Sequence, residues 1–423
     1  MLDRSTAPSF KEVKKVEFIR TQKHLLKNGI PVFVLNAGEQ ELVRIEFVFG
    51  NAEWDIKKPL LANTVNAMLN DGTTSMTGAQ IADTLDFYGA FFQTEHGLDQ
   101  SVVTLYTLNK YVENTLVIIK DVLTNSIFPE KDLETYISNN KQKLKVSIEK
   151  NDFLARREFN NVVFGDNVYG YKYTEKDFDS LNQEDLRSFF SKAYHPQNCT
   201  IFLSGKVEDK LLNEVKDLFG EWASSATFMP NEIILSPKAT KYHLIEKPNA
   251  LQSAIKLGIP SINRNHPDFA GLQVLNTVFG GYFGSRLMTN IREDKGYTYG
   301  INSGNATLQQ GGYFVIASEV GTDVCQNTLN EIEFEINRIK TELIPDEELK
   351  LVKNYLMGSL LGSLENAFSH ADKFKNIYFY GLDYDYFDNY INTINTIDAS
   401  SLMQLANKYW DYDEFYKVIV GKV

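Results

Sequence analysis

Cysteine, proline and long apolar runs are all scarce in this chain. Of its 423 residues only two are cysteine, Cys199 and Cys325, and they lie in different halves. Two lone thiols exclude a disulfide framework and a cysteine metal site, and they fit a reducing compartment. No apolar stretch reaches membrane-spanning length, and residues 1–6 (MLDRST) lack the apolar core of a secretion signal. We therefore expect no membrane span and a cytoplasmic location, or a periplasmic one if the sequence is a trimmed form.

Positive charge is also in short supply. The chain has 43 Lys and Arg against 55 Asp and Glu, a formal net charge of −12, and no long basic run. Such a surface repels phosphates, which argues against nucleic acid and anionic lipid as partners. Apolar residues make up 43% and charged residues 23%, which is typical of a soluble globular protein, and the length suits two to four domains.

An internal duplication is the most informative pattern that is present. Runs of β-branched and aromatic residues predict strands, and apolar residues at helical spacing predict helices between them. In the first half the predicted strands are 29–34, 42–49, 90–93, 101–108 and 200–205. The predicted helices are 59–69, 78–88, 112–123 and a long one that begins near 128–133. The second half repeats this order with strands 254–259, 312–317 and 416–421, a helix at 268–279 and a long helix that begins near 344–349.

This repeat predicts an α+β fold of two homologous α/β-sandwich halves. Each half has a mixed or antiparallel sheet with helices on one face. Residues 223–227 are small and polar, and Pro230 and Pro237 interrupt the stretch that follows, so the junction falls there. The predicted domains are residues 1–228 and 229–423. We expect the two halves to close like a clam-shell around a chamber.

Five short motifs resemble those of a known family over nearly the whole chain. They are residues 28–32 (NGIPV), 194–198 (YHPQN), 219–222 (FGEW), 279–287 (FGGYFGSRL) and 291–299 (IREDKGYTY). Their order and spacing resemble the pitrilysin/insulinase family of inverted-zincin metallopeptidases. That family includes the subunits of mitochondrial processing peptidase and the core proteins of respiratory complex III.

The resemblance implies a zinc-binding helix in the first half, but its ligands are missing. Active members carry His-x-x-Glu-His, in which two imidazoles bind Zn²⁺ and the glutamate activates the bound water. The matching positions here are Asn63, Asn66 and Ala67. An amide is a poor zinc ligand, a methyl group is none, and an amide accepts no proton at neutral pH. A later glutamate completes the family's ligand set, and the nearest acid here, Glu149, comes a few residues late. We therefore expect no metal or other cofactor in this chain.

Histidines elsewhere do not replace the lost site. The six are His24, His96, His195, His243, His266 and His370. No two lie within two helical turns of each other, so we expect surface or capping roles. His96, in a predicted loop beside Glu95, is only a weak ligand candidate. Two interpretations of Asn63 and Asn66 stay open: amide donors to a bound peptide, or, with more weight, drifted polar positions that face a cavity.

The resemblance also implies a contribution from the second half. Active members use an arginine, and a tyrosine seven residues later, to contact the substrate backbone near the zinc; Arg292 and Tyr299 match both. A guanidinium donates hydrogen bonds to a peptide carbonyl, and a phenol stabilises an oxyanion. The structural alternative pairs Arg292 with Glu293 or Asp294 and packs Tyr299 on a sheet face. With the surrounding motif, we favour the functional interpretation.

The chain lacks the zinc ligands but keeps the Arg–Tyr pair. This contrast suggests an enzyme whose active site is shared between two subunits. In some family members one subunit holds the zinc and another supplies the arginine and tyrosine. Our leading hypothesis is that this chain is the second kind: inactive alone, paired with a homologous zinc-motif subunit, and enclosing an unfolded peptide. A scaffold without proteolytic role, like the core proteins of complex III, is the alternative. Without a partner, the choice between a monomer and a homodimer stays open. An independent enzyme with a rebuilt metal site has least support.

Overall fold

Two β-sheets, one in each half, organise the chain. A computed structural model describes residues 13, 15–52, 54–224, 226–227 and 229–423. Residues 1–6, on which the expected location depends, and the predicted boundary at residue 228 lie outside the described residues, so both stay predictions. None of the described helices is long and apolar enough to cross a lipid bilayer.

Six strands form the first sheet. They are β1 (Gln22–Leu25), β2 (Pro31–Asn36), β3 (Leu42–Gly50), β4 (Phe91–His96), β5 (Gln100–Leu108) and β6 (Cys199–Gly205). Their spatial order is β1-β2-β6-β3-β5-β4, in which β2 and β6 are parallel and the other neighbours antiparallel. β6 is buried along its whole length and β3 at every position but its ends. The centre of the sheet is therefore covered on both faces, since a strand with one face in water alternates between buried and exposed residues.

The helices of the first half follow the predicted order, with additions. They are α1 (Leu61–Ala67), α2 (Gly78–Phe87), α3 (Val112–Asn125), α4 (Glu130–Ile148), α5 (Asn151–Phe164), α6 (Glu175–Asp179), α7 (Gln183–Ala193) and α8 (Asp209–Phe219). A capping box between Thr77 and Gln80 begins α2. α4 begins after Pro129 with Glu130 and Asp132 in its first turn, where acids stabilise the positive end of the helix dipole.

The second sheet has five strands and a similar set of helices. The strands are β7 (Tyr242–Glu246), β8 (Gln252–Pro260), β9 (Thr298–Leu308), β10 (Gly311–Gly321) and β11 (Tyr416–Gly421), in the order β7-β11-β8-β10-β9. The helices are α9 (Phe269–Phe279), α10 (Cys325–Thr341), α11 (Asp346–Gly362), α12 (Ala367–Tyr378), α13 (Asp385–Thr396) and α14 (Ala399–Tyr409). A π-helix, Met288–Asp294, leads into the edge strand β9.

Each half contributes one helix to the sheet of the other half. α5 packs on β8 and β11, where Phe159 lies in an apolar cluster with Ala254 and Tyr416. In return, α12 packs on β2 and β6, where Phe374 lies 5.0 Å from Phe33, measured between ring centroids. These exchanged helices cover the second face of each sheet.

The predicted fold class is confirmed: two α/β halves, each with a largely antiparallel mixed sheet. The exchanged helices add a layer that the sequence pattern did not indicate. β1, β7, β9 and the helices α5–α7, α10 and α12–α14 were not predicted as separate elements. β1 and β7 are short edge strands with mostly exposed residues, so they lack the apolar runs on which the other predictions depended.

Candidate functional site

Helix α1 carries the three positions that match the family's zinc motif. Asn63 and Ala67 lie one helical turn apart and are exposed, so they share one face of α1. Asn66 is only 1% exposed. The exposed face therefore presents one amide and one methyl group where two imidazoles would be needed, and these residues do not fit a Zn²⁺ ion.

Asn66 faces the protein interior. Its Nδ2 donates a hydrogen bond of 3.0 Å to Oη of Tyr194, which lies just after α7. Burial raises the pKa of Tyr194 to about 12, so its phenol stays protonated. Asn66 thus links α1 to α7, and its burial excludes it as an amide donor to a bound peptide. Of the two asparagines, only Asn63 lies where a peptide could reach it.

A cavity of about 330 Å³ opens beside Asn63, and we call it the Asn63 cavity. Its walls come from α1, the end of β4, helix α5 and the segment after α5. They include Trp54, Asn63, His96, Phe153, Arg156, Arg157, Asn160, Tyr171 and Tyr173. Of the positions that match the zinc motif, only Asn63 lines this cavity, and polar and aromatic side chains form the rest of its wall. Apart from Asn63 and His96, none of these residues was singled out from the sequence, although Phe153, Arg156 and Arg157 share helical spacing on α5.

His96 is the single imidazole in this cavity. It is the last residue of β4, so the predicted loop position was wrong, and its Nδ1 lies 2.9 Å from Oγ of Ser101. Burial lowers the pKa of His96 to about 4, which keeps the ring neutral at pH 7. Glu149 is exposed at the end of α4, and its backbone carbonyl accepts a hydrogen bond from Nζ of Lys247. In the described part of the chain, no three His, Cys, Asp or Glu side chains are grouped to hold a metal ion.

Arg292 and Tyr299 lie together at the edge of the second sheet. The Arg292 guanidinium carbon is 5.1 Å from the centroid of the Tyr299 ring and 4.7 Å from that of Phe283. Tyr299 is 91% exposed and Phe283 62% exposed. Two exposed rings thus hold the half-buried Arg292 by cation–π contacts of its guanidinium. Phe283, within the 279–287 motif, was not singled out from the sequence.

The structural alternative for these two residues finds no support. Within the described residues, Arg292 makes no ion pair with Glu293 or Asp294, and no hydrogen bond of its side chain is observed. Tyr299 is too exposed to pack on a sheet face. Neither residue lines the Asn63 cavity. The pair is therefore a separate, outward-facing site.

The π-helix that carries Arg292 is fixed to the second half. Asn290 donates hydrogen bonds from Nδ2 to Glu331 (3.0 Å) and Glu335 (2.9 Å) on α10, and Lys295 pairs with Glu331 at 3.2 Å. Ile291 is fully buried in the core. Burial raises the pKa of Glu335. The backbone on both sides of Arg292 is thus anchored, and only its side chain extends outward.

Comparison with known proteins identifies relatives over most of the chain. Residues 180–356 match the family described as the peptidase M16 inactive domain. An uncharacterized zinc protease of Rickettsia felis is 27% identical over 396 residues, which covers 90% of this chain and 93% of the relative. The uncharacterized zinc protease YmxG of Bacillus subtilis is 24% identical over 397 residues, covering 93% and 96%. The chain is thus similar to M16 peptidase proteins over most of its length. The pitrilysin/insulinase resemblance predicted from the motifs is thereby confirmed.

Further similar proteins include one named as a non-peptidase and two solved structures. A Helicobacter pylori protein named non-peptidase homolog YmxG is 21% identical over 422 residues, covering 96% of this chain and 92% of the relative. A crystal structure titled peptidase M16 inactive domain, from Pseudomonas fluorescens, superposes with a TM-score of 0.83 at 24% identity, covering 95% and 98%. A chain of complex III2 from Candida albicans superposes with a TM-score of 0.74 at 13% identity, covering 95% of each. These two structures establish the fold alone.

Proposed function

We propose that this chain is the non-catalytic, peptide-binding subunit of a heterodimeric zinc endopeptidase. The observation that carries the proposal is the contrast between its two sites. Asn63 and Ala67 offer no metal ligands on the exposed face of α1. Arg292, in contrast, is held between Phe283 and Tyr299 with its hydrogen-bond donors unused among the described residues. The name of the H. pylori relative, a non-peptidase homologue, agrees with the first half of this contrast.

The chemistry of the pair suits an extended peptide. The Arg292 guanidinium can donate two parallel hydrogen bonds to a backbone carbonyl, and the Tyr299 hydroxyl can donate to an oxygen that gains negative charge during hydrolysis. Zinc would be held by the partner subunit, which would carry the intact motif. The contacts with Phe283 and Tyr299 limit the freedom of the Arg292 side chain, so less conformational entropy is lost when it binds.

Co-expression with a homologue that carries the intact His-x-x-Glu-His motif tests this proposal. Hydrolysis of an unfolded peptide should appear only in the mixture. We expect kcat/KM to fall at least 10-fold for Arg292→Ala and several-fold for Tyr299→Phe, because each loses a hydrogen bond to the reacting peptide. Arg187→Ala and Tyr242→Phe are matched controls, since both side chains are exposed and lie outside the site. Full activity in both site variants rules the proposal out.

A scaffold role is the second candidate, and the name of the H. pylori relative favours it. It requires a stable homodimer or a larger assembly, and no dependence of any proteolysis on Arg292. Size-exclusion chromatography with light scattering, run beside the activity assay, separates the two roles. A stable assembly with a zinc-motif homologue that never cleaves peptides supports the scaffold.

A further inference from the structure

The Asn63 cavity contains two arginines and no acid among the described residues that line it. Arg156 and Arg157 are successive residues of α5, and neither makes an ion pair with a described residue. Nearby acids already have partners: Glu158 pairs with Lys172 at 2.6 Å, and Asp177 caps α6. Two residues of the cavity wall donate hydrogen bonds to acids, Tyr171 to Asp177 and Tyr169 to Asp99. In a chain of net charge −12, this cavity is locally positive.

Arg157 has an unused donor inside the protein. Its Nη2 donates a hydrogen bond of 2.5 Å to the backbone carbonyl of Tyr173, but its Nε is buried without a hydrogen-bond partner. The rings of Phe153 and Tyr173 lie 5.6 and 5.4 Å from the guanidinium carbon. Burial lowers the pKa of Arg157, although an arginine stays protonated at neutral pH. A buried charged donor without a partner is costly, so an acceptor from a ligand would stabilise it.

The other walls offer neutral donors and apolar surface. The side-chain amides of Asn63 and Asn160 make no hydrogen bond within the described part of the chain. Trp54 and Tyr171 meet edge to face, with ring centroids 5.6 Å apart. His96 is neutral at pH 7 and adds no charge. With a volume of about 330 Å³, the cavity is at the small end of ligand pockets. It suits one small charged group beside one side chain.

We propose that the Asn63 cavity binds a carboxylate of a peptide together with a neighbouring aromatic or apolar side chain. The guanidinium groups of Arg156 and Arg157 hold the carboxylate through charge-assisted hydrogen bonds, and the aromatic walls receive the neighbouring side chain. The carboxylate comes from an Asp or Glu side chain or from the C-terminus of the peptide. This assignment deepens the peptide-binding role proposed above and rests on that role for the class of ligand.

Three matched peptides test the proposal on the full isolated chain. The first is acetyl-Gly-Phe-Glu-Gly-amide, the second replaces its Glu with Gln, and the third is the Gln peptide with a free C-terminal carboxylate. Calorimetric titration should show the first or the third binding at least 10-fold more tightly than the uncharged second peptide, as expected for a charge-assisted hydrogen bond. Whichever binds more tightly identifies the source of the carboxylate. Affinities within two-fold of one another for all three overturn the proposal.

Variants then locate the binding. Arg156→Gln and Arg157→Gln should each weaken the preferred peptide about 10-fold and leave the uncharged peptide unchanged. Arg187→Gln, an exposed arginine on α7 outside the cavity, should have no effect. Arg157 also holds the Tyr173 carbonyl, so its variant needs a thermal unfolding control, whereas Arg156 is exposed and its variant tests the proposal without that concern. If Arg156→Gln and Arg187→Gln weaken the affinity for the preferred peptide equally, the assignment is refuted.

These outcomes separate the inference from the proposed function. If the isolated chain shows no preference for the carboxylate peptides, but peptide hydrolysis with the partner still depends on Arg292, only the cavity assignment fails. If the isolated chain binds the carboxylate peptide but no partner confers hydrolysis, only the endopeptidase role fails.

Discussion

Arg44 on β3 and Asp372 on α12 form a bidentate ion pair across the contact between the halves. The Nη1–Oδ2 and Nη2–Oδ1 distances are 3.1 and 2.9 Å. Beside them, Lys375 on α12 donates to Glu46 on β3 at 2.5 Å. Arg44 and Glu46 are 5% and 3% exposed, so this cluster of alternating charges is largely removed from water. It fixes how α12 lies on the first sheet.

We predict that Arg44→Ala lowers the free energy of unfolding by about 3 kcal/mol. The loss follows because Glu46 stays buried with less compensating positive charge, and breaking a buried ion pair is strongly destabilising. Chemical denaturation followed by circular dichroism measures it. Lys27→Ala is the control, since it removes an exposed ion pair with Glu221. The denaturation midpoint of this variant should equal that of the wild type. Equal midpoints for the two variants would contradict the prediction.

A second prediction concerns Gly258, where the exchanged helix α5 touches β8. A Cβ built at this position lies 2.0 Å from the Phe314 carbonyl oxygen and 2.8 Å from Cζ of Phe159. Gly258→Ala should therefore lower the free energy of unfolding by about 1–3 kcal/mol through overpacking.

The matched control for this change is Gly358→Ala on α11, where an added Cβ meets nothing within 4 Å. Because alanine favours a helix over glycine, Gly358→Ala should raise stability by about 0.5–1 kcal/mol. Denaturation curves of both variants, measured side by side, should shift in opposite directions. A shift of both in the same direction would argue against close packing at Gly258.

The half-buried imidazole of His96 should make stability depend on pH. Its pKa falls from the ordinary value of 6.5 to about 4 in the folded protein. Between these values the unfolded chain binds a proton that the folded chain does not, so stability decreases as the pH falls from 6.5 to 4. His96→Gln should remove this contribution, and the wild type should lose about 2–3 kcal/mol relative to the variant over that interval. Unfolding curves at several pH values test this; a constant difference between the two proteins contradicts it.

Restoring the two imidazoles should restore metal binding without activity. In the double variant Asn63→His, Ala67→His, the rings lie one turn apart on the exposed face of α1, where zinc can bridge them. We expect zinc binding by calorimetry but no hydrolysis of a fluorogenic peptide, because Asn66 donates to Tyr194 and cannot act as the general base. The single variant Asn63→His is the control and should bind zinc far more weakly. Hydrolysis by the double variant alone would overturn this account of α1.

Much of the fold could be predicted because its signals are local. The run Leu42–Gly50 is rich in apolar and β-branched residues, and Pro129 followed by acids begins α4 as expected. The exchanged helices could not be predicted, because which sheet α5 covers depends on contacts about 100 residues away in the sequence, such as that between Phe159 and Gly258. Local spacing contains no information about such pairs.

The site was predicted only in part for a similar reason. The family resemblance indicated Arg292 and Tyr299 as a pair within one short motif, and the structure places them in contact, while their role stays a prediction. Spacing could not tell that Asn66 is buried against Tyr194 while Asn63 is exposed, because the neighbours of α1 come from distant segments. The arginines of the Asn63 cavity were missed because an Arg–Arg step on a helix is most often a solvated surface.

The exchange of α5 and α12 bears on how such a molecule could arise. A single half of this architecture would expose one apolar sheet face to solvent, unless two copies exchanged a helix. The two halves thus exchange helices as two domain-swapped subunits would, and we expect them to stay associated if the connection between them is cut.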